Sequence, residues 1–174
     1  MNPNFNAIHT LSVYVANKPG VLARIAQCFA RRGYNIESLV VSPAMDGKFS
    51  RMTIGISGKP DGIDQIIKQV SKLIDVLRCI DHTGDAAVIR ELALVKIRST
   101  SSQRAEALQI VEHFACKTVD LTETSMIIMA TGDSDKVDAF SPDDHAFLNL
   151  SRKFDVIEIC RTGKVVMTRG EQMT

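Results

Sequence analysis

A short turn near the N-terminus carries the residues best suited to hold a small anion. Residues 17–22 read Asn-Lys-Pro-Gly-Val-Leu and stand between an alternating strand pattern and an amphipathic helix pattern. A helix that starts here points its unpaired N–H groups and the positive end of its dipole outward. Gly20 lets a ligand approach the backbone closely, and Pro19 suits the first helical position. The stretch predicts a carboxylate or phosphate site, with an ordinary strand–turn–helix connection as the alternative.

No other group of residues forms a catalytic pattern. The sequence has no glycine-rich dinucleotide fingerprint, no P-loop and no Ser/His/Asp grouping that can be placed together. Asp143-Asp144-His145 is the one dense cluster of ligand-type side chains, and it follows Pro142, which interrupts a helix pattern. We interpret that cluster as a surface loop rather than a metal site.

Composition narrows the class of protein. Of the 174 residues, 45% are hydrophobic and 24% are charged, which is ordinary for a globular protein. A net charge of +1 supplies no bulk attraction to nucleic acid or to a membrane surface. No apolar run approaches the roughly 18 residues of a membrane span, and the N-terminus lacks a signal-peptide core. We therefore expect neither nucleic acid nor a membrane as a partner.

The four cysteines, Cys28, Cys79, Cys116 and Cys160, include no closely spaced pair. Each stands in an apolar pattern, so we interpret them as buried free thiols rather than disulfides or zinc ligands. Free thiols are typical of a reducing compartment, which favours the cytoplasm, with a plastid as the alternative location.

The first half of the chain reads as six elements in the order βαββαβ. Residues alternate with period two in the strands and recur at helical spacing in the helices. Gly33 is placed to end the first helix, and Asp46-Gly47 is a hairpin turn signal. The predicted strands are 8–16, 35–45, 49–57 and 76–80, and the predicted helices are 19–32 and 63–73. This order is typical of a ferredoxin-like domain, with two helices on one face of a four-stranded antiparallel sheet.

The second half repeats the order less clearly. The patterns predict strands over 88–98, 118–121, 126–130 and 154–160, and helices over 101–115 and from 133 to 140. Leu108 and Val111 are expected to face inward in the first of these helices. The fold class is therefore α+β, with two tandem ferredoxin-like domains. We place the first domain at 1–82, a polar linker at 83–87 and the second domain at 88–174.

A family resemblance is carried by blocks that run in order along nearly the whole chain. The most specific is Arg-Arg-Gly-Tyr-Asn-Ile-Glu-Ser-Leu at 31–39, preceded by Asn17-x-x-Gly20-Val21-Leu22. Further blocks lie at 50–54, 72–77, 90–97, 138–140, 157–163 and 169–170. The chain resembles the regulatory small subunit of acetohydroxyacid (acetolactate) synthase, whose N-terminal part is an ACT domain. Ser141-Pro142-Asp143-Asp144 departs from the family pattern, which usually continues a regular helix there.

The resemblance implies a regulatory protein rather than an enzyme. The family's small subunit binds and stimulates a separate thiamine-diphosphate-dependent catalytic subunit in valine, leucine and isoleucine biosynthesis. It also confers allosteric feedback inhibition by a branched-chain amino acid, usually valine. The resemblance implies no cofactor on this chain, and it places thiamine diphosphate, Mg²⁺ and FAD on the catalytic partner.

The resemblance also implies where the amino-acid effector binds. The family's effector residues correspond to Asn17, Gly20 and Asn35, with Val21, Leu22 and Ile36 lining the same place. In the family, two ACT domains form a homodimer, so that the turn of one chain faces Asn35 of the other. The residue types fit this role, because N–H groups can hold the effector carboxylate and asparagine oxygens can accept from its ammonium. The alternative is that Asn17 braces the turn and Asn35 only opens a strand.

Two other classes of protein compete with this interpretation. A stand-alone amino-acid-binding ACT regulator, of another enzyme or of transcription, is the first alternative. A transcriptional role would need a DNA-reading module, and both halves of this chain are occupied by βαββαβ patterns. The second alternative is a small enzyme of ferredoxin-like fold, which turnover by the isolated chain would reveal.

Overall fold

The computed structural model describes residues 8–57, 62–133, 137, 154–171 and 174. Contacts divide the chain into two compact units, which are Met1–Val88 together with Gly163–Thr174, and Ile89–Thr162. The sequence pattern assigns residues 163–174 to the second domain, whereas their contacts group them with the first unit. Gly163 illustrates this grouping, because a Cβ built on it would lie 2.7 Å from the Cβ of Ser38.

The first unit has the predicted βαββαβ order. Its elements are β1 (Ile8–Ala16), α1 (Val21–Ala30), β2 (Asn35–Pro43), β3 (Phe49–Ser57), α2 (Ile63–Val70) and β4 (Val76–Asp81). They form an antiparallel sheet with the strand order β2-β3-β1-β4. This arrangement confirms the ferredoxin-like prediction, with β1 in the middle of the sheet and β2 at one edge.

The core of the first unit lies between the sheet and its two helices. Leu11, Val13 and Val15 of β1 are fully buried, as their alternation predicts. A strand with one buried face would leave its alternate positions in water, but Thr10 and Ser12 are 4% and 2% exposed. The central strand is therefore covered on both faces, which holds it firmly in the middle of the unit.

Helix α1 is shorter at both ends than the predicted 19–32. It begins at Val21 with Gly20 as its N-cap residue, so Pro19 precedes the helix instead of occupying its first position. At the other end, Gly33 adopts a positive φ of 74°. The N–H groups of Gly33 and Tyr34 donate to the carbonyls of Ala30 and Phe29, both at 3.1 Å. This is a Schellman cap, and it confirms the predicted role of Gly33.

The Asp46-Gly47 turn joins β2 and β3 as predicted. The N–H of Lys48 donates to Oδ1 of Asp46 at 3.0 Å, and Gly47 has a positive φ of 66°. The N–H of Ala44 donates to the carbonyl of Phe49 at 2.8 Å. Strand β2 ends at Pro43, two residues earlier than expected.

The last residue of the predicted first domain and the first residue of the predicted linker are both bound to the sheet. The N–H of His82 donates to the carbonyl of Thr10 at 2.9 Å, and the N–H of Thr10 donates to Oγ1 of Thr83 at 3.0 Å. The His82 side chain is fully buried, with its Nδ1 3.1 Å from Oδ2 of Asp85. This part of the linker is therefore ordered by the first unit.

The second unit also has a ferredoxin-like sheet. Its elements are β5 (Val88–Arg98), α3 (Arg104–His113), β6 (Lys117–Leu121), β7 (Ser125–Gly132) and β8 (Asp155–Arg161). The strand order β6-β7-β5-β8 matches that of the first unit. Most of the predicted 133–140 helix lies outside the described residues. A further short strand, β9 (Val165–Met167), falls in the segment grouped with the first unit, and it was not predicted.

Helix α3 begins later than the predicted residue 101. Gln103 is the N-cap residue, and its side chain makes no cap bond. Its Oε1 instead accepts hydrogen bonds from the N–H and hydroxyl of Thr100, at 3.3 and 3.0 Å. The prediction that Leu108 faces inward is wrong, because it is 42% exposed, whereas Ala107 and Val111 are buried. Val111 faces inward as predicted, and the buried side of the helix includes Ala107 instead of Leu108.

All four cysteines are free, but they are less buried than predicted. Cys28, Cys79 and Cys116 are partly buried and Cys160 is exposed. Burial raises the pKa of the Cys79 thiol to about 12, and the negative charge of Asp81 adds to the increase. In the described part of the chain, no helix combines the length and the apolar character that crossing a bilayer requires.

We predict that iodoacetamide at pH 8 modifies Cys160 well before Cys79 in the folded protein. The reactive species is the thiolate, and a pKa of about 12 keeps Cys79 protonated at this pH. Peptide mass spectrometry over a time course gives both rates, and labelling in urea supplies the unfolded control. Equal rates for the two residues in the folded protein would contradict the assignment.

Candidate functional site

The turn at Asn17 is held by backbone hydrogen bonds to two neighbouring turns, one before β3 and one before β4. The N–H of Ala16 donates to the carbonyl of Asp75 at 2.8 Å, and the N–H of Asn17 donates to the carbonyl of Lys48 at 2.8 Å. The side-chain Nδ2 of Asn17 donates to the carbonyl of Gly47 at 3.0 Å. The Asn17 side chain thus stabilises the turn, and this hydrogen bond points its side-chain nitrogen towards the protein.

Gly20 occupies the junction between this turn and α1. Its φ of 83° and ψ of −10° are left-handed, a conformation that glycine adopts without strain. No side chain caps the helix. The N–H groups of Gly20, Leu22 and Ala23 donate to no other described residue, and that of Val21 reaches the carbonyl of Lys18 only at 3.4 Å. The first turn of α1 therefore presents N–H groups that can hold an anion.

Two cations and one carboxylate surround this helix start. Asp75, whose side chain is 12% exposed, forms an ion pair with Nη2 of Arg24 and lies 3.8 Å from Nζ of Lys18. A Cβ built on Gly20 would lie 3.8 Å from Nη1 of Arg24, so the guanidinium stands beside the turn. The three side chains carry a net charge of +1, which adds to the positive end of the helix dipole.

Asn35 begins β2 and belongs to a second polar group. Its Nδ2 donates to Oε1 of Glu37 at 2.7 Å, and the Ser57 hydroxyl donates to the same oxygen. Asn35 and Ser57 lie opposite each other in the β2–β3 pairing. The hydrogen bonds from Ser57 and Asn35 hold the pKa of the Glu37 carboxyl below its usual value.

The two polar groups lie at opposite ends of the sheet. Ser57, beside Asn35, pairs with Ile8 at the start of β1, whereas Ala16, at the other end of β1, adjoins the turn. Nine residues of extended strand separate them, a distance of about 27 Å. A single chain therefore does not bring Asn35 to Asn17 and Gly20.

The three apolar residues predicted to line the effector site differ in burial and in position. Val21 is 2% exposed and belongs to the core, so its backbone rather than its side chain faces the site. Leu22 is 39% exposed beside the turn. Ile36 is partly buried and packs against the core at the other end of the sheet. Leu22 is thus the apolar side chain that the turn presents to a ligand.

Three charged residues of these groups were not singled out from the sequence. Glu37 is two positions after Asn35 in the same strand, and that spacing is a signal that could have found it. Arg24 is one turn into the predicted helix, on its polar side. Asp75 lies 51 residues from Arg24, and no local pattern connects the two residues.

The interpretation of Asp143-Asp144-His145 as a surface loop rather than a metal site stays a prediction. Within the described ranges, no group of three or more His, Cys, Asp or Glu side chains could hold a metal ion. Asp143-Asp144-His145 and the Ser141–Asp144 departure from the family pattern lie outside the described residues.

Two family models match the chain and together span most of its length. Residues 11–78 match the model described as the AHAS small subunit-like ACT domain. Residues 90–170 match the model described as the small subunit of acetolactate synthase.

Curated proteins and a solved structure of the same kind match from end to end. The chain is 42% identical over 164 residues to a probable acetolactate synthase small subunit of Archaeoglobus fulgidus, covering 94% of this chain and 98% of that one. It is 40% identical to the acetolactate synthase small subunit of Mycolicibacterium smegmatis, covering 96% and 94%. The crystal structure of the acetolactate synthase small subunit from Thermotoga maritima is 38% identical, with a TM-score of 0.78, and the match covers 95% of this chain and 99% of that one.

Proposed function

This chain belongs to the family of acetolactate synthase small subunits, and we propose that it regulates a thiamine-diphosphate-dependent catalytic subunit in two ways. It stimulates that subunit, and it confers feedback inhibition by a branched-chain amino acid, with valine as the first candidate. The observation that supports the effector site is the start of α1. There, exposed N–H groups and a net positive charge meet beside Gly20 and the exposed side chain of Leu22.

The site becomes complete only when two copies associate. Strand β2 is at the edge of its sheet, and its free backbone groups can pair with another strand. Antiparallel pairing of two β2 strands about Leu39, the middle residue, sets Asn35 of one copy opposite Pro43 of the other. Pro43 and Val15 both pair with Ser50, so Pro43 lies at the end of the sheet that carries the turn. The pairing of the two β2 strands therefore places Asn35 of one copy at the turn end of the other copy's sheet. A homodimer through the first unit therefore supports an effector bound between two chains.

We assign the chemistry to the catalytic partner. Thiamine diphosphate, Mg²⁺ and FAD are expected on that subunit, and the present chain contributes a binding surface and an effector site. On this division the turn needs only the features suited to binding a carboxylate.

The first experiment mixes the purified chain with its cognate catalytic subunit and measures acetolactate formation from pyruvate. We expect no turnover by the chain alone, and a rate above that of the catalytic subunit alone in the mixture. Conversion of pyruvate by the chain alone would contradict the regulatory assignment. So would an unchanged rate at saturating ratios of the two subunits.

The second experiment tests feedback control with Gly20→Asp. The new carboxylate occupies the anion position, pairs with Arg24 and repels the effector carboxylate, so valine inhibition should disappear while stimulation remains. Gly20→Asn is the matched control, because asparagine has a similar size, tolerates positive φ and carries no charge. Valine titrations of the reconstituted enzyme give both quantities.

Asn35→Ala should act in the same direction but less strongly. It removes one hydrogen bond to the effector, worth about 1 kcal/mol, so the inhibitory valine concentration should rise by roughly fivefold.

Full inhibition of the Gly20→Asp enzyme at the wild-type valine concentration would rule out this site.

A further inference from the structure

Glu37 has an unusual place in β2. Ile36 pairs with Ile56 and Ser38 pairs with Gly55, so Glu37 is the extra residue of a β-bulge and has no partner residue in β3. Bulges redirect side chains and occur often beside functional sites. The Glu37 side chain is exposed and lies next to Asn35, at the half of the site that the second copy would supply.

The Glu37 carboxylate is held in place but is not neutralised. Asn35 and Ser57 both donate to Oε1, and no other described residue donates to Oε2. Nor does any described lysine, arginine or histidine form an ion pair with this carboxylate. One oriented carboxylate oxygen is therefore available to a cationic donor from outside the chain.

The two halves of the site carry opposite charges. The Gly20 half has a net positive charge from Lys18, Arg24 and Asp75, together with the N–H groups of α1. The Asn35 half has the negative charge of Glu37. An α-amino acid carries a carboxylate and an ammonium group on one carbon, so it is complementary to two halves that face each other.

We propose that Glu37 is a specificity-determining residue whose Oε2 accepts a hydrogen bond from the ammonium group of the effector. This inference rests on the proposed function, since it deepens the assignment of the site between two copies. In this arrangement Asn35 orients Glu37 through its Nδ2 and turns its own Oδ1 towards the ligand. The asparagine oxygens predicted to accept from the ammonium are neutral, whereas a carboxylate is a stronger acceptor for a charged donor.

Selectivity follows from this arrangement. A site built to bind an ammonium group leaves a carboxylate without its partner when the ligand lacks that group. The site should therefore reject the corresponding desamino acid, although its apolar part and its carboxylate are the same. Discrimination between the two ligands is the property that Glu37 controls.

The test measures binding of L-valine and of its desamino analogue, 3-methylbutanoate, to the full chain by calorimetry. Glu37→Gln keeps the size and the acceptor oxygen but removes the charge. We expect it to weaken L-valine binding by about tenfold or more, without weakening the binding of 3-methylbutanoate. Glu158→Gln, an exposed carboxylate of β8, is the matched control and should change neither value.

Three outcomes would contradict the proposal, and they are distinguishable. Equal L-valine affinity in wild type and Glu37→Gln would overturn the role of Glu37 while leaving the site. Equal weakening of both ligands would show that Glu37 only supports Asn35, which also overturns the proposal. Failure of the wild-type chain to bind any branched-chain amino acid would overturn the proposed effector site, and this inference with it.

Discussion

The antiparallel pairing of β1 with β3 is the constraint on which both halves of the candidate site depend. Nine consecutive pairs fix Ala16 opposite Phe49 at one end and Ile8 opposite Ser57 at the other. The buried side chains of β1 hold this register, because a shift by one residue would turn Leu11, Val13 and Val15 away from the apolar core. The turn before α1 extends from one end of this pair, and the Asn35 group is attached to the other.

In the proposed function, the register makes effector binding a property of two chains rather than one. Each chain carries a positive turn and a negative strand start that are about 27 Å apart along the sheet. In the proposed site, one chain supplies the donors for a carboxylate and the other supplies the Glu37 acceptor for an ammonium group. An effector that requires both therefore couples its own binding to the association of two first units, which is the kind of linkage that feedback control needs.

Much of the first unit could be predicted because its signals are local. The bounds of β1 and β3 agree with the pattern, since strict alternation and the Asp46-Gly47 turn define them. The start of α1 could not be placed, because the left-handed Gly20 depends on bonds from the turn to Lys48 and Asp75. Gly20 could be singled out from the sequence as a candidate site residue, whereas Glu37 could not. The hydroxyl that holds its carboxylate comes from Ser57, twenty residues away in another strand.

The central claim is that each effector site contains the turn of one chain and the Asn35 group of another. A mixed dimer tests it most directly, with Gly20→Asp in one chain and Asn35→Ala in the other. The pairing proposed here leaves one doubly altered site and one fully wild-type site in that dimer. Calorimetry should therefore find one valine site of wild-type affinity per mixed dimer, although neither homodimer has such a site. Absence of any wild-type-affinity site in the mixed dimer would contradict the account.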